Sequence, residues 1–196
     1  MSRLANLCTA LRVLIAPVLV WQLSLPREAA GIIPFSLYVV AALSDYLDGM
    51  LARAGGTASR RGRAFDHGAD ALLLFPAFWM LAWRGRVPTI LPIVAMTAFT
   101  LYVIHGRQRG VVLGGIDLTS SRSGALGGVL NYVVAGAAAA AVWIDVRALD
   151  QAIYAAAYAV SAINLAAAIE RLPLLITSTR ASPVAKTEAR APRSSP

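Results

Sequence analysis

Apolar residues occur along this chain in long blocks, and the polar residues fall mostly in the short breaks between them. Val87–Ile104, Gly124–Ile144 and Gln151–Ile169 contain no charged residue. Val13–Pro26, Ala29–Ser44 and Ala71–Trp83 are equally clean but shorter. A helix that crosses a bilayer needs about 20 mostly apolar residues. The shorter runs reach that length only by continuing through charge: Arg12 in the first, Asp45 and Asp48 in the second, Asp66 and Asp70 in the third. Two-residue alternation is absent, and alanine runs such as Ala137–Ala141 and Ala155–Ala157 favour helix over strand. The pattern predicts six helices, Leu4–Leu25, Ala29–Arg53, Arg63–Trp83, Val87–Ile104, Gly124–Ile144 and Leu149–Arg171. Pro17, Pro34, Pro76 and Pro92 fall inside apolar runs, which membrane helices tolerate where neighbours satisfy the freed carbonyls. The expected fold is an all-α integral membrane protein with six transmembrane helices. Residues 1–176 form one domain, and residues 177–196, rich in Ser, Pro, Ala and basic side chains, read as a disordered basic cytoplasmic tail.

Composition sharpens this picture. Of 196 residues 58% are hydrophobic and 14% are charged, against about a quarter charged in a soluble domain. That excludes a disordered chain, a disulfide scaffold and an ordinary soluble enzyme. The single Cys8 cannot form an intrachain disulfide. The net charge of +8 does not point to nucleic acid, because the basic residues are divided among apolar blocks instead of lining one face. It points to membrane topology. With the N-terminus in the cytoplasm, Arg3, Arg53, Arg60, Arg61, Arg63, Arg107, Arg109, Arg122 and the tail all lie inside. Arg27, Arg84, Arg86 and Arg147 lie outside, so both termini are expected to be cytoplasmic in an inner or plasma membrane. Trp21, Trp79, Trp83 and Trp143 fall near the opposite ends of helices one, three and five, as an interfacial belt would. The first segment is expected to stay attached as a span, because Arg12 interrupts it and no clean cleavage site follows. Gly124 and Gly128 have a spacing that suits close helix packing, within one chain or between two.

Four of the ten carboxylates lie in one window. Asp45 and Asp48, three apart, share one helix face; Asp66 and Asp70, four apart, share another. The glycine-rich basic linker between them, Ala54–Gly62, allows the two helices to form an antiparallel hairpin with both pairs at its cytoplasmic end. Converging carboxylates at a bilayer edge repel one another and resist desolvation unless they are protonated or neutralised by cations. Hard divalent ions with oxygen ligands fit best, Mg²⁺ first and Mn²⁺ or Ca²⁺ next, and a pair of such ions would clamp a phosphate. Asp66 alone is also explained as an N-terminal helix charge. Asp45 and Asp48 lie toward a C-terminal helix end, where the dipole disfavours anions. Gly49 leaves the backbone open to a ligand, Arg53 one turn on suits a phosphate, and Gly62 opens room at the start of the next helix.

The run Asp45-x-x-Asp48-Gly49-x-x-Ala52-Arg53, eight residues, Gly62-x-x-x-Asp66-x-x-x-Asp70 resembles the signature of the CDP-alcohol phosphotransferase family, with every position matched. Asn6, Thr9, Arg12 and Pro17 are similar to the pattern of that family's first helix. The close match covers about the first third of the chain. The resemblance implies transfer of a substituted phosphate from a CDP-linked donor to an alcohol, with release of CMP. It implies that Asp45, Asp48, Asp66 and Asp70 bind two metal ions, and that Asp70 also serves as general base. Asn6, Thr9, Asp48, Gly49, Ala52, Arg53, Ser59 and Gly62 would form the nucleotide site, and a homodimer is implied. CDP-diacylglycerol is the favoured donor, with a polyol or polyol phosphate as acceptor. The alternative is a small CDP-alcohol donor with a lipid acceptor. Arg107, Arg109 and Arg122, near His105 in the loop before helix five, are candidates for an anionic acceptor, or serve only as positive-inside residues. His67, between Asp66 and Asp70, is a further candidate neighbour of the site. Members that make phosphatidylglycerophosphate usually carry a basic residue after the fourth aspartate and a lysine-rich motif before helix five. Here Ala71 and Thr119–Gly124 stand in those places. A prenyl-diphosphate enzyme is disfavoured by the Gly-x-x-Ala-Arg extension, and a cation transporter by the position of the acids toward one membrane face.

Overall fold

The structure, a computed structural model, describes residues 3–54, 60–113, 121–144 and 146–180, with side chains for 8–47, 50, 67–107, 121–144 and 146–173. All regular structure among these residues is helical: α1 (Arg3–Ser24), α2 (Arg27–Ala30), α3 (Ile33–Ala54), α4 (Arg60–Trp83), α5 (Ile90–Leu113), α6 (Arg122–Trp143) and α7 (Arg147–Arg180). The six long helices are the six expected from the apolar blocks, with shifted ends.

The second begins at Ile33 and not at Ala29. Gly31 adopts a φ of +51°, which ends the single turn of α2 and redirects the chain. Pro34 thus falls in the first turn of α3, and Pro92 falls in the first turn of α5, where a missing N–H breaks no helical hydrogen bond. Pro17, Pro76 and Pro173 lie inside helices. α5 continues nine residues past Ile104 to Leu113. α7 runs through Pro173 to Arg180, so the first four residues of the stretch read as tail are helical, and 181–196 lie outside the described residues.

The long helices form two layers of three. α1 packs on α3 and α4, and α7 packs on α5 and α6; the layers join chiefly through α3 against α6, with α4 touching both α5 and α6. The shared core is aliphatic and alanine-rich. Leu19, Leu73, Phe78 and Leu91 are fully buried, and Ala138 and Ala157 allow the backbones of α6 and α7 to approach closely. The outer surface is also apolar: Leu14, Trp83, Val129, Val133, Tyr158 and Ile169 are all exposed by more than half. An apolar exterior around an apolar core suits lipid as the surrounding solvent. Among the described residues three helical segments are long and apolar enough to cross a membrane, Ile90–Arg107, Arg122–Trp143 and Arg147–Pro173; Cys8–Ser24 and Ile33–Leu47 are shorter apolar stretches.

Because successive long helices alternate in direction, the N-terminal halves of α1, α4 and α6 meet the C-terminal halves of α3, α5 and α7 at one end of the bundle. The opposite end is tied by Arg86 to Asp150 at 3.0 Å and by Arg84 to the Ser24 carbonyl at 3.1 Å.

Candidate functional site

The first of these ends holds a cluster of charge inside an otherwise apolar bundle. Arg12, in the middle of α1, has no exposed surface. Its Nη1 lies 2.6 Å from Oδ1 of Asp45 on α3 and 2.6 Å from Oδ1 of Asp70 on α4. One guanidinium nitrogen thus bridges the two acidic helices, and the arginine offsets the repulsion that would otherwise drive the carboxylates apart. Asp70 Oδ1 also accepts a 2.5 Å hydrogen bond from the Tyr132 hydroxyl on α6. Tyr132 is held in turn by Tyr38 on α3, whose hydroxyl donates to the Tyr132 carbonyl at 2.6 Å and whose ring sits 6.3 Å from the Tyr132 ring. Both donors reach the same oxygen. Oδ2 of Asp70 faces His67 Nδ1 at 4.0 Å, too long for a hydrogen bond.

Asp45, Asp70, His67 and Tyr132 open onto a cavity of about 570 Å³ between the two layers. One wall is an aromatic ladder: Phe75 stands edge-on to Phe99 at 5.4 Å, Phe99 lies 6.2 Å from Tyr102, and His67 is edge-on to Tyr102 at 5.6 Å. The Arg171 guanidinium, from α7, lies 5.4 Å over the Tyr102 ring and also lines the cavity. It is 5% exposed. It donates to the Ala167 carbonyl at 2.8 Å and to Ser121 Oγ at 3.4 Å. Ser121 caps α6 by accepting from the Gly124 N–H at 3.2 Å. Gly124 leaves this guanidinium its place, since a Cβ on it would stand 2.3 Å from Arg171 Nη2 and the arginine would have to move. Gly128, one turn on, has nothing within 4 Å of the same position and faces open cavity. The two glycines thus make room for an arginine and for a void, where the sequence pattern suggested helix-to-helix contact. The cavity is completed by Asn131 on α6 and Asn164 on α7, paired at 3.0 and 3.2 Å.

Of the acidic residues expected to bind metal, the structure brings Asp45 and Asp70 together. Asp48 on α3 and Asp66 on α4 have side chains outside the described residues, and among the described residues no group of three metal-ligating side chains converges. Hard oxygen donors gathered on facing helices suit Mg²⁺ or Mn²⁺. Thr9 lies on α1, partly buried. Asn6, Gly49, Ala52, Arg53 and Gly62 are helical, but their side-chain positions, like all of Ser59, lie outside the described residues. Of the basic residues expected for an acceptor, Arg107 and Arg122 are exposed and do not line the cavity, and the Arg109 side chain lies outside the described residues. The arginine that does line it is Arg171. Sequence reasoning took Arg171 only as a helix end, and gave no role to Tyr132, Asn131 or Asn164. The signal was present, because each is polar within or beside a run otherwise able to cross lipid.

A sequence profile of the CDP-alcohol phosphatidyltransferase family matches residues 2–169. The chain is 30% identical over 117 residues to a probable phosphatidylglycerophosphate synthase of Mycobacterium tuberculosis H37Rv, covering 57% of this chain and 56% of that protein. It is 30% identical over 121 residues to a CDP-diacylglycerol–glycerol-3-phosphate 3-phosphatidyltransferase of Rickettsia felis, covering 62% of this chain and 66% of that one. A protein of the same name from Rickettsia typhi is 27% identical over 122 residues, covering 62% and 67%. The match thus spans little more than half the length of the mycobacterial relative. With a complete acidic motif, two of its carboxylates facing each other across α3 and α4, and a profile match over most of its length, this chain belongs to the CDP-alcohol phosphatidyltransferase family.

Proposed function

We propose that this protein is an integral membrane phosphatidyltransferase that moves a phosphatidyl group from CDP-diacylglycerol to a hydroxyl of a glycerol-phosphate-like polyol and releases CMP. The observation that carries this reading is the placement of Asp70. Arg12 and Tyr132 hold one of its oxygens, while the other is left beside a cavity able to admit an alcohol. In that position Asp70 takes the proton of the acceptor hydroxyl as its oxygen bonds to the phosphatidyl phosphorus. The bond from that phosphorus to the bridging oxygen breaks, and the electron pair leaves with CMP. Asp45, Asp48, Asp66 and Asp70 would hold two Mg²⁺ or Mn²⁺ ions, which when bound neutralise charge on the donor's phosphates. Asn6, Thr9, Gly49, Ala52, Arg53, Ser59 and Gly62 serve the cytidine diphosphate.

Arg171 receives the anionic group of the acceptor. It is a buried guanidinium in the same cavity as Asp70, and burial strengthens a phosphate contact that would be weak at the surface. The names of the relatives support a glycerol phosphate acceptor. The basic residue expected after the fourth aspartate is replaced by Ala71, which lines the cavity, and α7 supplies a positive charge instead. Six spans, both termini in the cytoplasm and a cytoplasmic-facing site agree with the distribution of arginine, and a homodimer agrees with the family.

The test is CMP release by the purified protein given CDP-diacylglycerol, Mg²⁺ and a panel of alcohols that includes glycerol 3-phosphate. Release that depends on both metal and alcohol is the expected result. No CMP with any alcohol would overturn the reading. Metal flux across vesicles without CMP would assign the acids to transport.

A further inference from the structure

The facing amides of Asn131 and Asn164 form a polar floor in an apolar part of the bundle. Asn131 is 9% exposed and Asn164 is 4% exposed. Asn131 Nδ2 donates to Asn164 Oδ1 at 3.2 Å, and Asn164 Nδ2 returns the bond to Asn131 Oδ1 at 3.0 Å. A primary amide has two N–H donors and two acceptor lone pairs. The reciprocal pair uses one of each on each residue. Among the described residues nothing takes the remainder, so each amide keeps one N–H and one lone pair to spare. Spare hydrogen-bonding capacity in a water-poor interior is costly, and a pair serving only to join α6 to α7 would gain nothing from it.

Both amides line the cavity that Asp70 and Arg171 also line. Asn131 is adjacent in sequence to Tyr132, which is bonded to Asp70, and Asn164 is two turns before Arg171 on α7. Space is available beside them: the position of a Cβ on Gly128, less than one turn before Asn131, meets nothing within 4 Å. The elements needed to hold a small polyol phosphate are therefore arranged around one void, with a base, an anion site and two amides that can each give and accept a hydrogen bond.

We infer that the Asn131–Asn164 pair is the specificity-determining element of the acceptor site and reads a hydroxyl of the acceptor other than the one that reacts. This rests on the phosphatidyltransferase reading and goes beyond it, because it separates alcohols of equal charge by their number of hydroxyls. An acceptor with a second hydroxyl satisfies the spare amide groups. One that lacks it leaves them buried and unsatisfied, and the site discriminates against it.

The experiment compares glycerol 3-phosphate with 3-hydroxypropyl phosphate, which has the same phosphate and reacting hydroxyl but lacks the hydroxyl between them. With the full-length protein, CDP-diacylglycerol and Mg²⁺, kcat/KM for glycerol 3-phosphate is expected to be at least about tenfold higher. In the Asn131→Leu/Asn164→Leu protein that ratio collapses toward one. Equal kcat/KM for the two acceptors in the unmodified protein would overturn the inference while leaving the transferase reading intact, and so would a ratio preserved in the double variant. CMP release with neither of these acceptors but with another alcohol overturns the inference alone, and no release with any alcohol overturns both. If the double variant fails to fold, the unmodified protein's ratio still decides. Gly128→Val, which puts a side chain into the void, is then expected to raise KM for glycerol 3-phosphate several-fold; an unchanged KM would place the acceptor elsewhere and refute the assignment.

Discussion

The Tyr132 hydroxyl on α6 donates to Asp70 on α4 at 2.5 Å and so fixes a carboxylate of the acidic motif from the other layer of the bundle. Asp70 is otherwise held from within its own layer by Arg12. The orientation of the proposed base therefore depends on how the two layers dock, and Tyr38, bonded to the Tyr132 backbone, strengthens that joint.

Tyr132→Phe keeps the ring packing and removes only the hydroxyl. A hydrogen bond to a charged group contributes about 1.5–3 kcal/mol, which bounds the loss in kcat at roughly ten- to a hundredfold. The variant is expected to stay folded, to unfold at a lower temperature than the unmodified protein by no more than that bond is worth, and to release CMP more slowly. Equal kcat would remove Tyr132 from the positioning of Asp70.

Arg12→Met leaves Asp45 and Asp70 close together without their shared cation. Breaking a buried ion pair by removing one partner costs about 3–5 kcal/mol. Thermal unfolding in detergent is expected to show that loss. Arg12→Lys, with one ammonium reaching fewer acceptors, should fall between the two. A fully stable methionine variant would mean that the carboxylates find neutralisation elsewhere.

Gly124→Ala places a methyl group 2.3 Å from the Arg171 guanidinium and forces that side chain to move. The expected outcome is a raised KM for an anionic acceptor with little change in the affinity for CDP-diacylglycerol. If KM for the acceptor is unaltered, Arg171 does not bind its anion.

Asp70→Asn should abolish turnover while retaining much of the binding of metal and CDP, because an amide still coordinates through its oxygen but cannot take the proton. Asp48→Ala should weaken metal and nucleotide binding together. Calorimetric titration with CDP and Mg²⁺, beside an assay of CMP release, separates the two effects. An active Asp70→Asn enzyme would refute the base assignment.

Chelation with EDTA is expected to stop CMP release, and excess Mg²⁺ or Mn²⁺ to restore it. Persistent activity in the chelator would refute the metal assignment to the four aspartates.

The helical architecture could be read in one dimension, because a lipid-exposed helix must be apolar along its whole length and the polar breaks mark its ends. Helix ends were less legible. The start of α3 depends on a positive φ at Gly31, and α7 passes Pro173 without a break. The acidic motif was legible as well, since spacings of three and four residues place carboxylates on one helix face whatever the surroundings. Arg12 was visible as a charge inside an apolar block, but its bridge from Asp45 to Asp70 joins three helices and has no signature within any one of them.

By itself the sequence determined a helical, membrane-suited pattern and a complete acidic motif on two adjacent helices, because hydrophobic block length and helical periodicity are local properties. Only the tertiary structure decided which other residues meet those aspartates. Asn131, Tyr132, Asn164 and Arg171 lie 61 to 101 positions beyond Asp70. Each joins the site only because α6 packs on α3 and α4, and α7 packs on α5 and α6. The partners of a buried polar group are set by the crossing of helices, a property that no stretch of one helix encodes.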